Sequence, residues 1–347
     1  AEGMLIIPIL IDSCMWKEYK WISETQMLPR DGKCVAVNFM SHYNTVFLDV
    51  ANRIKEFVEA GLKAEAETLE TEWERPSDDL IDIDRLPSTG AKLFGRKDEI
   101  KLLDETWKDG EKNILSFVAW GGVGKSTLIN KWLEYMDAEN YRGAKRVYTW
   151  SFYSQGTSER VTSADAFVAH ALEWFGDEDP KAGSPWDKGQ RLAELIANEK
   201  TLLILDGMEP LQSGLDFEKG KIKDAALEVM LRGLAKKNLG LCVITTRLKV
   251  PEFDHEKYED TVESVGLEMI SKEAGRSLLR VEGVRGTDAE LEGVVEAFGC
   301  HALAVNLLGV YLHGIEGHAA KHVAEIPDLP EVEVDDGKHP RRVIEAI

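Results

Sequence analysis

Ile114-Leu115-Ser116-Phe117-Val118-Ala119 runs straight into Trp120-Gly121-Gly122-Val123-Gly124-Lys125-Ser126-Thr127, and helical spacing continues to Tyr135. An apolar strand, a glycine-rich turn and a helix, in that order, decide the fold class. Glycines let the loop backbone wrap until several N–H groups converge, and the helix N-terminus adds partial positive charge. The loop therefore suits phosphate. Lys125 is expected to reach the β- and γ-phosphates of a nucleotide, and the Ser126 hydroxyl to be a Mg²⁺ ligand. Gly121, Gly122, Val123, Gly124 and Thr127 complete the expected cradle. A strict G-x-x-x-x-G-K-[ST] pattern puts glycine at position 119, where this chain has Ala119.

Working outward, a P-loop of this kind calls for an apolar strand ending in an acidic residue that holds the metal. Leu202-Leu203-Ile204-Leu205-Asp206 supplies it, and Glu209 follows as the candidate to polarise an attacking water. A further strand, Leu241 to Thr245, leads to Thr246-Arg247, a cation placed to read the γ-phosphate. Strands at 114–119, 147–152, 202–205 and 241–245 alternate with helices at 125–135, 164–175, 188–198 and 224–236. This alternation predicts an α/β fold, a parallel sheet with helices on both faces. After about Glu252 the strands are expected to stop, and segments near 271–281, 287–298 and 301–313 read as a small all-α subdomain.

Upstream, Met4 to Ile11 is a continuous apolar run. With a short strand at 34–37 and apolar residues at helical spacing from Val46 to Val58, it reads as half of a small α/β domain. From Glu59 to Asp84 ten acidic residues face two basic ones, Lys63 and Arg75. The expected organisation is a partial α/β domain over 1–60 and an acidic linker over 61–90. A nucleotide-binding domain over 91–255, a helical subdomain over 256–335 and the start of a further domain over 336–347 follow. A first residue other than Met, and an apparent helix running to Ile347, read as cuts in a larger protein.

Net charge of −20 and a pI near 4.9 argue against a partner with a phosphate backbone, and no apolar run reaches the roughly 18–20 residues of a membrane span. Cys14, Cys34, Cys242 and Cys300 show no C-x-x-C pairing and read as buried thiols of a cytoplasmic protein. His318 and His322 stand at the spacing of a metal pair with no third ligand, which favours a solvated helix end. Trp120 reads as core against the helical subdomain.

Together these residues resemble the STAND class of signal-transduction NTPases, which contains the NB-ARC and NACHT domains. The resemblance covers about 91–347. It rests on Phe94-Gly95-Arg96, Gly121 to Thr127, Trp150 to Thr157, Leu202 to Gln212, Val243 to Arg247 and Gly299-Cys300-His301-Ala302-Leu303-Ala304. It implies ATP or ADP with Mg²⁺ on Ser126 and Asp206, slow hydrolysis using Lys125 and Glu209, and Arg247 at the γ-phosphate. It also implies that Phe94, Gly95, Arg96 and the His301 motif close over the adenine, with Ala302 standing where the class carries proline. His301 is equally readable as a core or cap residue.

Residues 6–16, 28–33 and 47–51 resemble the C-terminal half of a bacterial TIR domain. That family's NAD-cleaving glutamate has no counterpart here, so NAD cleavage is expected only of the intact protein. The combined resemblance implies a nucleotide switch in bacterial immunity and antiphage defence. A protein trigger bound by a missing C-terminal sensor would drive homo-oligomerisation and activate the TIR effector, with a truncated winged-helix domain at 336–347. Two other readings are a non-hydrolysing, ADP-locked scaffold and a P-loop ATPase of another class.

Overall fold

The computed structural model describes residues 73–87, 92–153 and 163–313. The TIR-like stretches, Ser154 to Thr157, His318, His322 and the expected winged-helix start lie outside them. The chain divides into two compact units after Glu72.

Six strands form one parallel sheet: β1 (Ile81–Asp82), β2 (Ile114–Val118), β3 (Arg146–Ser151), β4 (Thr201–Asp206), β5 (Leu241–Thr246) and β6 (Val262–Gly266). Their order is β1-β3-β4-β5-β2-β6. Side chains alternate between faces along each strand. Leu202, Ile204, Leu241 and Val243 meet α1 (Lys97–Asp109) and α2 (Lys125–Ala138). Leu203, Leu205, Cys242 and Ile244 meet α3 (Asp165–Trp174), α4 (Pro185–Ala197) and α5 (Ala225–Lys236) on the opposite face. Every residue of β4 and β5 is buried, which is why both read as unbroken apolar runs.

Two expectations are corrected here. β6 lies beyond Glu252, where strands were expected to have ended, and pairs with β2 over its whole length. Its burial falls away after Val262 because it is an edge strand, with Val262 packed on one face of the sheet and Val265 partly covered on the other. The expected linker over 61–90 also contains sheet: Ile81 pairs with Val147 of β3, and Leu86 is buried in the core beside α1 and α2. Acidic neighbours mask a strand only two residues long.

Past the sheet, α6 (Lys272–Val281), α7 (Asp288–Ala297) and α8 (Ala302–His313) pack around Leu279, Leu291, Val295, Val305, Leu308 and Leu312. Close approach is specific at Gly275, where a Cβ would come within 2.5 Å of Val295. Ser271 caps α6 through the N–H of Ala274, and Thr287 and Glu290 form a capping box on α7. No helix among the described residues is long and apolar enough to cross a membrane.

Candidate phosphate and nucleotide site

The loop after β2 ends at Gly124, the N-cap of α2, held at φ 104°, a conformation that only glycine adopts without strain. No side chain caps α2, unlike α4 to α7. Its first-turn N–H groups are left to face whatever occupies the loop. Ala119 explains the departure from the strict pattern. Its N–H donates to Thr246 O at 3.0 Å, extending the ladder past β2, so the position needs no glycine.

Lys125 Nζ donates to Ala119 O at 2.5 Å and Trp120 O at 2.9 Å. Burial pulls its pKa down to about 8, and Arg247 adds to the depression against the opposing pull of Glu209 and Asp206. Beside it Asp206, 1% exposed, closes a hydroxyl network. Its Oδ1 accepts from Ser126 at 2.8 Å and from Thr245 at 2.7 Å, and its Oδ2 accepts from Ser151 at 3.4 Å. Thr245 in turn accepts the Gly207 N–H at 2.8 Å. The end of β4 is thereby tied to the ends of β3 and β5 and to the start of α2.

Glu209 differs. Its side chain is 12% exposed, neither carboxylate oxygen has a hydrogen-bond partner among the described residues, and its contact with Arg247 is a 3.4 Å ion pair. Tyr153 stands next to it. Burial, and then the Glu209 carboxylate, pushes that phenol well above its ordinary range. Its ring also covers Gly207, where a Cβ would come within 2.1 Å. The Arg247 guanidinium lies 5.9 Å from the Tyr153 ring and closes on Gly121, where a Cβ would sit 2.9 Å from Nη2.

The helical subdomain covers the other side as a lid fastened to the loop backbone. Leu303 N–H donates to Gly122 O at 3.0 Å. His301 Nε2 donates to Gly121 O at 2.8 Å while Nδ1 accepts from Ala304 N–H at 3.4 Å, which fixes the imidazole tautomer. Buried Arg96 donates to Val123 O at 3.1 Å, to Glu268 O at 2.6 Å and to Glu99 at 2.9 Å. Between the walls lies a cleft of about 460 Å³.

Gly121 to Thr127, Glu209 and Arg247 line it together with apolar Leu93, Phe94, Ile270, Leu278 and Leu303, the last packed on Gly122. Arg96 lines it too, with its polar atoms already engaged. His301 and Gly95 do not face the cleft. His301 holds the loop from outside, and Gly95 packs on α6, where a Cβ would meet that of Ala274 at 2.5 Å. Trp120, expected as core, is 49% exposed. Tyr153, Ile270, Leu278 and Asn306 join the site only through tertiary folding.

The site has the build of a P-loop nucleotide cleft. Several solved structures are similar, each with a TM-score of 0.43. A STAND protein with a tetratricopeptide repeat sensor from Pyrococcus horikoshii is 20% identical and covers 66% of this chain, which spans 31% of that protein. A Walker-type ATPase of Pyrococcus abyssi is 14% identical, covering 67% of this chain and 71% of its own. The Aeropyrum pernix Orc1 protein, solved in complex with DNA, is 17% identical over 76% of this chain and 66% of its own. No protein-family model matches the chain, and no curated protein does.

The donor set fits Mg²⁺. Ser126 Oγ, which lines the cleft, and Asp206 Oδ1, buried behind it, are hard oxygens 2.8 Å apart. Among the described residues no group of three or more His, Cys, Asp or Glu gathers to cage a metal. Two protein oxygens suit an ion that keeps most of its shell as water and phosphate.

Proposed function

We propose that this chain is the nucleotide-binding core of a signalling switch that takes ATP or ADP with Mg²⁺. The observation that carries the reading is the attachment of the lid to the phosphate loop through the carbonyls of Gly121 and Gly122, with Arg96 at the start of α1 bridging Val123 to Glu268 beside α6. Phosphates on the loop and the position of the helical subdomain then share one set of hydrogen bonds. Lys125 gives up its two carbonyls to a phosphate, Arg247 turns from Glu209 to the γ-phosphate, and Ser126 and Asp206 hold the metal. Held there, Mg²⁺ would supply charge neutralisation to the phosphates.

Glu209, its carboxylate buried beside the loop, then stands as the acceptor that polarises an attacking water. Slow hydrolysis resets the switch. On the same reading, exchange of ADP for ATP releases the lid and lets copies of the chain self-associate. A protein trigger recognised by a C-terminal sensor would set this off and activate a TIR-type, NAD-cleaving effector in antiphage defence in the cytoplasm. Support for that wider role is the resemblance of residues 6–51 to a TIR half-domain and of 91–347 to STAND proteins.

Phosphate release by the wild type, lowered about 10²- to 10⁴-fold in Glu209→Gln with ATP affinity kept, is the expected result. Tightly retained ADP with no release by either protein would replace hydrolysis with an ADP-locked scaffold.

A further inference from the structure

A second cleft, of about 460 Å³, opens between α4, α5 and the turn at Glu256–Tyr258. The two helices pack closely: a Cβ on Gly189 would come within 2.3 Å of Ala226 O, and one on Gly233 within 2.6 Å of Ala193 Cβ. These contacts set the helices side by side and running the same way. Trp186 therefore belongs to the end where α5 begins, and Lys236 and Lys237 to the other. From Trp186 to Ala197, both lining the cleft, α4 rises about 17 Å.

Four cations line this groove, Arg232, Lys236 and Lys237 from α5 and Lys257 from the turn, against one carboxylate, Glu194. They gather on a chain whose net charge is −20. Among the described residues Lys236 and Lys237 make no ion pair, Lys257 lies 4.6 Å over the Tyr258 ring, and Arg232 pairs with Glu228 of its own helix at 2.8 Å. Glu194 accepts from Gln190 Nε2 at 3.0 Å. Lysines at the C-terminal end of α5 complement its dipole, but that does not account for Arg232 a turn earlier or for Lys257 on a separate element. Tyr258, also lining the cleft, is 1% exposed, and its hydroxyl has no partner among the described residues. Water or a ligand normally completes such a group. Trp186 is 55% exposed.

We infer that this groove binds a short acidic peptide of a partner protein, its carboxylates on the four cations and an apolar side chain on Trp186. Length favours a peptide: an extended chain rises about 3.3 Å per residue, so roughly five residues span the groove. A compact polyanion would fill the cationic end and leave Trp186 bare. A nucleic acid or an anionic membrane brings a dense negative field against a chain that is itself strongly acidic. A few carboxylates act within a Debye length, about 8 Å in physiological salt, and so answer to the local cations. No residue of the phosphate cleft takes part, and the inference stands apart from the nucleotide reading.

Fluorescence anisotropy of a short fluorescein-labelled peptide of glutamates ending in leucine, titrated with the full 347-residue chain, tests this. Saturable binding of one peptide per chain, weakening as salt is raised, is the expected result. Lys236→Glu combined with Lys257→Glu should lower the affinity about 10-fold or more, and Trp186→Ala by a smaller factor, roughly 3- to 5-fold. Melting temperature and ADP affinity should hold in these variants, because all three side chains are exposed and lie outside the phosphate cleft. Absence of saturable binding, or binding unmoved by the charge reversals, overturns the inference. So does inorganic tripolyphosphate binding the groove more tightly than the peptide, which would make it a compact-anion site. Self-association of the wild type that is lost in the double variant would give the groove to a second copy of the chain and overturn the assignment to a partner.

Discussion

The sheet wall and the lid wall of the cleft are held by different means. On the sheet side Asp206 is saturated by three hydroxyls from three elements, and Lys125 by two carbonyls. Such interlocked networks resist partial change, since each member polarises and fixes the next. On the lid side two residues, His301 and Leu303, reach the loop, Arg96 at the start of α1 ties Val123 to Glu268, and apolar surface does the rest. The phosphate loop is therefore set in a closed polar network, while the lid rests on it through few hydrogen bonds and apolar packing.

The largest effect should come from the sheet side. Lys125→Ala removes the one ammonium in the cradle and should weaken ATP by about 100-fold or more, as charge-assisted bonds are lost. The melting temperature should hold, because a costly buried cation goes with it. Calorimetry returning wild-type affinity would break the contrast outright.

A middle-sized effect is expected on the lid. Gly122 has φ 77°, and a methyl there would sit 2.6 Å from His301 Cε1 and 2.9 Å from Leu303 Cβ. Gly122→Ala should cost about 1–2 kcal/mol in backbone strain and push α8 off the loop. Hydrogen exchange should accelerate in α8 and stay unchanged in β4 and β5; equal acceleration in all three would make the two walls one cooperative unit.

The smallest is a pH effect. With Lys125 lowered from 10.5 to about 8, the folded state holds fewer protons than the unfolded one between those values. Stability should therefore rise with pH across that window. Nucleotide affinity should fall over the same range, because phosphate prefers the ammonium. Denaturant melts of wild type and Lys125→Met, from about pH 7 to 10, sharpen the assignment if only the wild type shows the rise.

What could be read from sequence divides along the same line. Alternating apolar strands and helices, the glycine loop, Asp206, Glu209 and Arg247 are local signals, and the structure brings them to one end of one sheet. β6 was missed because Val262-Glu263-Ser264-Val265-Gly266 has the broken pattern of an edge strand. Trp120 was misread because its neighbours are apolar while its own side chain points outward. Of the apolar lining, Phe94 was legible through the family motif, while Ile270, Leu278 and Asn306 reach the same cleft from far along the chain through helix packing. His301 finds a backbone carbonyl as partner, which no side-chain motif announces.

β6 also gives the lid a leash. Only Leu267 to Ser271 separate β6 from α6, a reach of roughly 17 Å when fully drawn out. Leu267 N–H is still bonded to Val118 O at the end of β2, the strand that feeds the phosphate loop. The three-helix body can swing through an arc but cannot depart, so its local concentration over the cleft stays high. Whatever opens it has only to tip a balance of the usual coupling size, about 1–3 kcal/mol, rather than hold two separate bodies apart.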